Sequence, residues 1–241
     1  MRTWAVGTVQ HPLTIEQAVE WRPGLWAPAT RAALEMAADR LVPGASCLEV
    51  GYGTGMMACY LAGRHGLVVT GYDVNPEARM KATENARRYG VEGRTDFRLC
   101  QRDETLSIAG EWDVVFMKSV LFHIREPATY EKWLRWVRSV LAPGGVFIAV
   151  ENGRGANLVR LFRLHVARRN WARLCLFDSD RLADFCRTFD RVDARYFGHV
   201  VSPFLSGSPS ICTVARLVED WLWPPSADNC FVVAVVARRY E

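Results

Sequence analysis

Leu48-Glu49-Val50 is followed by glycines at every second position, Gly51, Gly53 and Gly55. Glycine takes positive φ and lets a ligand touch bare backbone, so an apolar run ending in an acid and then this triplet reads as a strand turning sharply into a helix. Met56 to Arg64, with Met57, Tyr60 and Leu61 on one side, opens that helix, and its unpaired N–H groups suit an anionic group.

A dinucleotide fingerprint needs its third glycine five residues after the first, where the helix passes close to the strand. Met56 holds that position here. Glu49 would oppose a pyrophosphate and favours a ligand with a cationic part. Both facts point away from NAD and toward S-adenosylmethionine, which has no phosphate and carries an ammonium, a sulfonium and one carboxylate.

The rest of the chain is consistent with one large α/β unit. Its 241 residues are half hydrophobic and 23% charged, with a net charge of +4, values of an ordinary globular protein that do not by themselves imply nucleic acid. The cysteines at 47, 59, 100, 175, 186, 212 and 230 form no CxxC pair and no zinc spacing, and mostly sit in apolar runs. A reducing, cytoplasmic compartment is expected. The N-terminus lacks a basic region followed by a long apolar run, and no stretch approaches the roughly eighteen apolar residues of a membrane span.

Residues 1–27 read as an N-terminal arm with Trp4, Trp21 and Trp26, holding a short helix at 14–21. Pro28 opens a helix through Leu41, stopped by Pro43-Gly44. Residues 28–151 then alternate: strand 45–50, helix 55–64, strand 67–72, helix 76–90, strands 94–101 and 113–118, helix 126–141, strand 145–151. Such alternation builds a parallel sheet with helices on both faces. Residues 152–229 hold cap segments: a basic helical stretch at 156–175, a helix at 179–188, a strand at 191–199 and a helix near 213–223. A strand at 230–238 closes a count of seven.

Asp73 ends the second strand about twenty residues after Gly51, where an acid accepts both ribose hydroxyls of an adenosine; alternatively it caps the next helix with Asn75-Pro76. Joined with Asp103, the run Asp113 to His123 and Leu141-Ala142-Pro143-Gly144-Gly145, these residues resemble the class I S-adenosylmethionine-dependent methyltransferases of small-molecule type over about residues 30–151. The resemblance implies a Rossmann-like, doubly wound, seven-stranded sheet, mostly parallel with an antiparallel last strand. It gives Glu49, Gly51, Tyr52, Gly53 and Gly55 the methionine end of the cofactor and Asp73 with Val74 the ribose. Asp103 takes the adenine amino group with Arg102 and Glu104 beside it, and Lys118 and Ser119 line the methyl side. Tyr52 departs from the small residue often found in this loop.

Methyl transfer from a sulfonium is an in-line displacement, so the protein mainly aligns the reactants and excludes water. A hydroxyl acceptor often needs a base. His123, just beyond the fourth strand, is one candidate, or else a histidine that fixes the loop. Glu151, ending the fifth strand, is another candidate base or substrate anchor, or a helix cap. Metal-assisted catechol methylation wants a carboxylate where Lys118-Ser119 stands, so no metal is expected. The Pro-Pro motif of nucleic-acid amino methylation is absent, and no nucleic-acid partner is expected.

Two segments bear on the acceptor. Residues 156–175 are basic and amphipathic, with Arg160, Arg163, Arg168, Arg169 and Arg173, and read as a solvated charged face, a weak membrane-surface contact or a holder of a phosphate-bearing substrate. Pro203 to Pro225, with Phe204, Leu205, Ile211, Trp221 and Trp223, reads as an apolar lid or as plain core. A lid favours a bulky, partly apolar acceptor such as a natural product or a lipid-linked sugar. The expectation is a small-molecule O-methyltransferase, with an N-methyltransferase or a non-catalytic cofactor-binding partner subunit as alternatives.

Overall fold

The computed structural model describes residues 12–101, 104–156, 176–198 and 200–240. Seven strands form one sheet: β1 (Ser46–Val50), β2 (Val68–Asp73), β3 (Thr95–Leu99), β4 (Trp112–Lys118), β5 (Leu141–Asn152), β6 (Arg191–Phe197) and β7 (Val232–Arg238). Their order is β3-β2-β1-β4-β5-β7-β6. Strands β1 to β5 pair in parallel, and β7 runs antiparallel between β5 and β6. The order reverses between β1 and β4, the switch point at which ligands bind beyond the carboxyl ends of such sheets.

The helices are α1 (Ile15–Val19), α2 (Pro23–Met36), α3 (Met56–His65), α4 (Pro76–Arg88), α5 (Pro127–Val140), α6 (Ser179–Thr188), α7 (Ser202–Leu205) and α8 (Pro209–Leu222). Side-chain alternation divides them between the two faces. Cys47, Phe116, Ile148 and Val150 join the core under α1 to α4. Leu48, Val115, Phe147 and Ala149 join the core under α5 and α6. Both faces of the central strands are therefore covered, which is why β4 reads as a continuous apolar run rather than an alternating one.

Helix α2 differs from expectation. It begins at Pro23, and Pro28 lies inside it. An interior proline costs about 3 kcal/mol, but the helix buries Leu25, Trp26, Ala27 and Ala29 almost completely, and burying each large side chain contributes about 1.5–3 kcal/mol. Gly24 lets α8 press close, since a Cβ there would lie 2.7 Å from Cys212 Cβ. The expected arm thus contains ordered structure, with α1 closed by a capping box between Thr14 and Gln17.

Strand β5 starts at Leu141, before the expected 145, with a register irregularity opposite Trp112 to Val114. Between β3 and β4 the described residues hold only a 3-10 turn, Thr105–Ser107. Among the described residues no helix is long and apolar enough to cross a membrane. The basic stretch at 157–175 lies outside the described residues.

Candidate active site

The glycine turn follows from its backbone. Gly51, Gly53 and Gly55 have φ of 74°, 54° and 71°, the left-handed region in which a side chain is strained. Two are also crowded: a Cβ on Gly51 would lie 2.7 Å from Val120 Cγ2, and one on Gly55 would lie 2.6 Å from Ala82 Cβ. Gly53 has nothing within 4 Å of that position, so the turn is pinned at both ends and open in the middle.

Asp73 stands at the end of β2 beside this opening. Its Oδ2 accepts from the Gly53 N–H at 2.8 Å and its Oδ1 from the Asn75 N–H at 2.9 Å. The α4 cap itself is Asn75, whose side chain accepts from Glu77 N–H. A cavity of about 900 Å³ opens here, within the usual range for small-ligand sites; Gly51, Asp73, Val74, Ser119 and His123 line it, with Lys132 and Trp133 of α5 on the far wall.

Ser119 links β4 to that cavity with a backbone φ of 57°, a left-handed conformation uncommon for a residue other than glycine. The chain then makes a 3-10 turn, Leu121–His123, which carries His123 to the cavity wall. Glu151 clamps this turn. Its Oε1 accepts from the Val120 and Leu121 N–H groups, each at 2.9 Å. Burial pushes the Glu151 carboxyl up to about 7, and the backbone N–H groups work against that rise. It does not line the cavity, being buried behind the turn among Leu121, Phe122, Tyr130 and Arg181; Asn152, one residue on, projects to the other face of the sheet. Asn152 donates from Nδ2 to Ser119 Oγ at 3.4 Å, and its buried Oδ1 has no hydrogen-bond partner.

Beneath the glycine turn, on the α1 and α2 side, lie Glu49 and Lys118. Burial pushes Glu49 up to about 8, against the pull of the Lys118 ammonium, and Glu49 Oε2 is buried with no hydrogen-bond partner. Lys118 donates to the Val19 carbonyl at 3.2 Å and sits 5.7 Å from the Trp26 ring centre; burial lowers its pKa. Glu20, at the end of α1 with φ 59°, accepts at Oε2 from Thr54 Oγ1 at 2.6 Å. The end of α1 is thereby fastened to the glycine turn.

Residues 47–145 match the family described as a methyltransferase domain. Over these residues the chain is similar to methyltransferase domains. The chain is 30% identical over 141 residues to an uncharacterized protein of a Synechococcus strain, a match over 56% of this chain and 32% of that one. It therefore spans about a third of the length of that curated relative. Its fold resembles phosphoethanolamine N-methyltransferase 2 of Haemonchus contortus, solved with S-adenosylmethionine, at TM-score 0.61 and 20% identity over 88% of this chain and 53% of that one. It also resembles a proposed O-methyltransferase of Nostoc punctiforme at TM-score 0.60 and 17% identity, over 99% of this chain and 64% of that one.

The site has room and chemistry for S-adenosylmethionine. The open turn at Gly53, the carboxylate of Asp73 and the unpartnered Glu49 Oε2 would suit its carboxylate, ribose and ammonium respectively. Several expected cofactor residues sit elsewhere. Tyr52 is buried in the core, its ring 4.9 Å from Phe97 and its hydroxyl donating to the Arg98 carbonyl at 3.2 Å. Gly71 makes the space, since a Cβ there would lie 2.7 Å from the Tyr52 ring. Glu104 accepts from the Gln101 N–H at 2.8 Å and steadies the 3-10 turn. Arg102 and Asp103 lie outside the described residues.

The expected lid over 203–225 forms α7 and α8 with its apolar side chains outward, Trp221 being 81% exposed. Hydrophobicity alone cannot tell an inward face from an outward one. Asn152 and the pairing of Glu20 with Thr54 were missed in the sequence. Parity along β5 signals Asn152, since Ile148, Val150 and Asn152 share a face; no sequence signal pairs Glu20 with Thr54.

Proposed function

We propose that this chain transfers a methyl group to a hydroxyl of a small, partly apolar metabolite. The observation that carries this reading is one continuous cavity walled by Gly51, Asp73, Ser119 and His123. S-adenosylmethionine, when bound, supplies both the methyl group and a neutral leaving group. The protein's share is alignment and dryness, which together supply much of the rate in such displacements. Asp73 holds the ribose and the glycine turn the methionine end, and α1, fastened through Glu20 and Lys118, keeps water from the turn. His123, on the cavity wall, takes the proton of the acceptor hydroxyl as its oxygen bonds the methyl carbon and the carbon–sulfur bond breaks. General-base assistance of this kind contributes about 10²–10⁴-fold.

The test is His123→Ala with S-adenosylmethionine and a panel of hydroxylated metabolites, followed by product mass. Turnover falls by about 10²–10⁴-fold while cofactor binding stays unchanged. Full rate across the pH range contradicts the base assignment. An amine acceptor is the second reading, favoured by the carboxylates of Glu20 and Glu49 on the α1 side; a methylated amine as the only product selects it.

A further inference from the structure

Among the described residues, none covers one apolar face of helix α8. Ile211, Val214, Leu217, Val218, Trp221 and Leu222 are all exposed, Val214 by 64% and Trp221 by 81%. Positions 211, 214, 218 and 221 follow the three-four spacing of a helix–helix seam. The charged residues of α8 are spent elsewhere. Arg216 pairs with Asp220 at 3.0 Å, and Glu219 turns inward to accept from the Ser202 N–H at 2.9 Å and the Ser202 hydroxyl at 2.6 Å. The exposed face therefore carries no charge, as the centre of a protein interface does.

With Trp223 and Phe204 beside it, also exposed, the patch brings together eight large apolar side chains, on the scale of a standard interface of about 800 Å² per partner rather than the roughly 300–600 Å² of the largest patch on a typical monomer. A membrane-surface helix is rich in lysine and arginine on its polar side; α8 has one arginine, already paired.

We propose that α8 is the interface between two copies of this chain, paired antiparallel about a two-fold axis at the level of Arg216. A two-fold contact uses the same patch on both copies. In that register Val214 of one copy meets Val218 of the other, and Ile211 meets Trp221. The interface is independent of the methyl-transfer chemistry, because it uses no residue of the cavity.

Sedimentation equilibrium of the full chain tests it. The wild type is expected to dimerise in the micromolar range, and Val214→Glu or Val218→Lys alone to raise the dissociation constant at least about 100-fold. Neither changes the thermal shift given by S-adenosylhomocysteine. An equimolar mixture of the two variants, which sets glutamate against lysine across the axis, regains the dimer. A wild type that stays a single chain at about 100 μM, a dimer that survives Val214→Glu, or a mixture that stays monomeric overturns the proposal. So does a monomer that co-sediments with phosphatidylcholine vesicles and loses that with Val214→Glu.

Discussion

Glu49 makes cofactor binding a proton-linked event. Its carboxyl, pushed up to about 8 by burial, is mostly protonated at pH 6, whereas the cofactor's ammonium meets it best as a carboxylate. The free ammonium titrates near 7.8, so the fraction of encounters with both charges present rises about 20-fold from pH 6 to pH 8 and then falls. Lys118, Asp73 and Glu20 face the same carboxyl. Titration calorimetry with S-adenosylhomocysteine at pH 6, 7, 8 and 9 reads this directly: affinity peaks near pH 8 and binding releases a proton below it. Glu49→Gln binds more weakly and loses the rising limb, keeping only the fall above pH 8. Flat wild-type affinity from pH 6 to 8, or the same rising limb in Glu49→Gln, refutes the reasoning. Without cofactor the sign runs the other way. A folded pKa raised from 4.5 to about 8 contributes stability that is complete below 4.5 and lost as pH rises through 8, at most about 5 kcal/mol. The cofactor-free melting temperature of Glu49→Gln therefore falls less across that window.

Asp73→Ala weakens S-adenosylhomocysteine binding by roughly tenfold to a hundredfold, the loss of one charged hydrogen-bonding group, while circular dichroism stays native; undiminished affinity removes Asp73 from the site. Gly71→Ala drives a Cβ to 2.7 Å from the Tyr52 ring and costs about 1–3 kcal/mol in urea unfolding, a cost that disappears in a Tyr52→Val background. Additive effects of the two substitutions contradict that coupling. Glu151→Gln keeps an acceptor for the Val120 and Leu121 N–H groups and loses little stability, whereas Glu151→Ala leaves both unpaired and costs about 2–4 kcal/mol. Equal losses in the two variants would mean that the clamp on the His123 turn does not matter.

The sheet was legible because each of its signals is local. Glycines at 51, 53 and 55, a capping Asn75 and apolar runs at 45–50, 113–118 and 230–238 are read from neighbours in sequence, and the strands fall there. What was not legible depended on contacts across the chain. Pro28 resembles a helix start until the burial around Trp26 shows that the helix tolerates it. Tyr52 resembles a cofactor contact until Gly71, nineteen positions later, makes room for its ring beneath β2. Glu151 is an acid at a strand end like Asp73, but strand parity sends it into the core under α5 and α6, where it clamps the turn that carries His123. The apolar run at 203–225 gave no indication of direction, and direction separates a lid from an outward interface.

Thermal unfolding with and without saturating S-adenosylhomocysteine, beside NAD and NADP, addresses the central claim most directly. At a hundred times its dissociation constant a ligand adds about 2.7 kcal/mol, a rise of roughly 5–10 °C for a chain of this length. The account predicts that rise with S-adenosylhomocysteine alone. A rise only with a nicotinamide cofactor, or with none of the three, contradicts it.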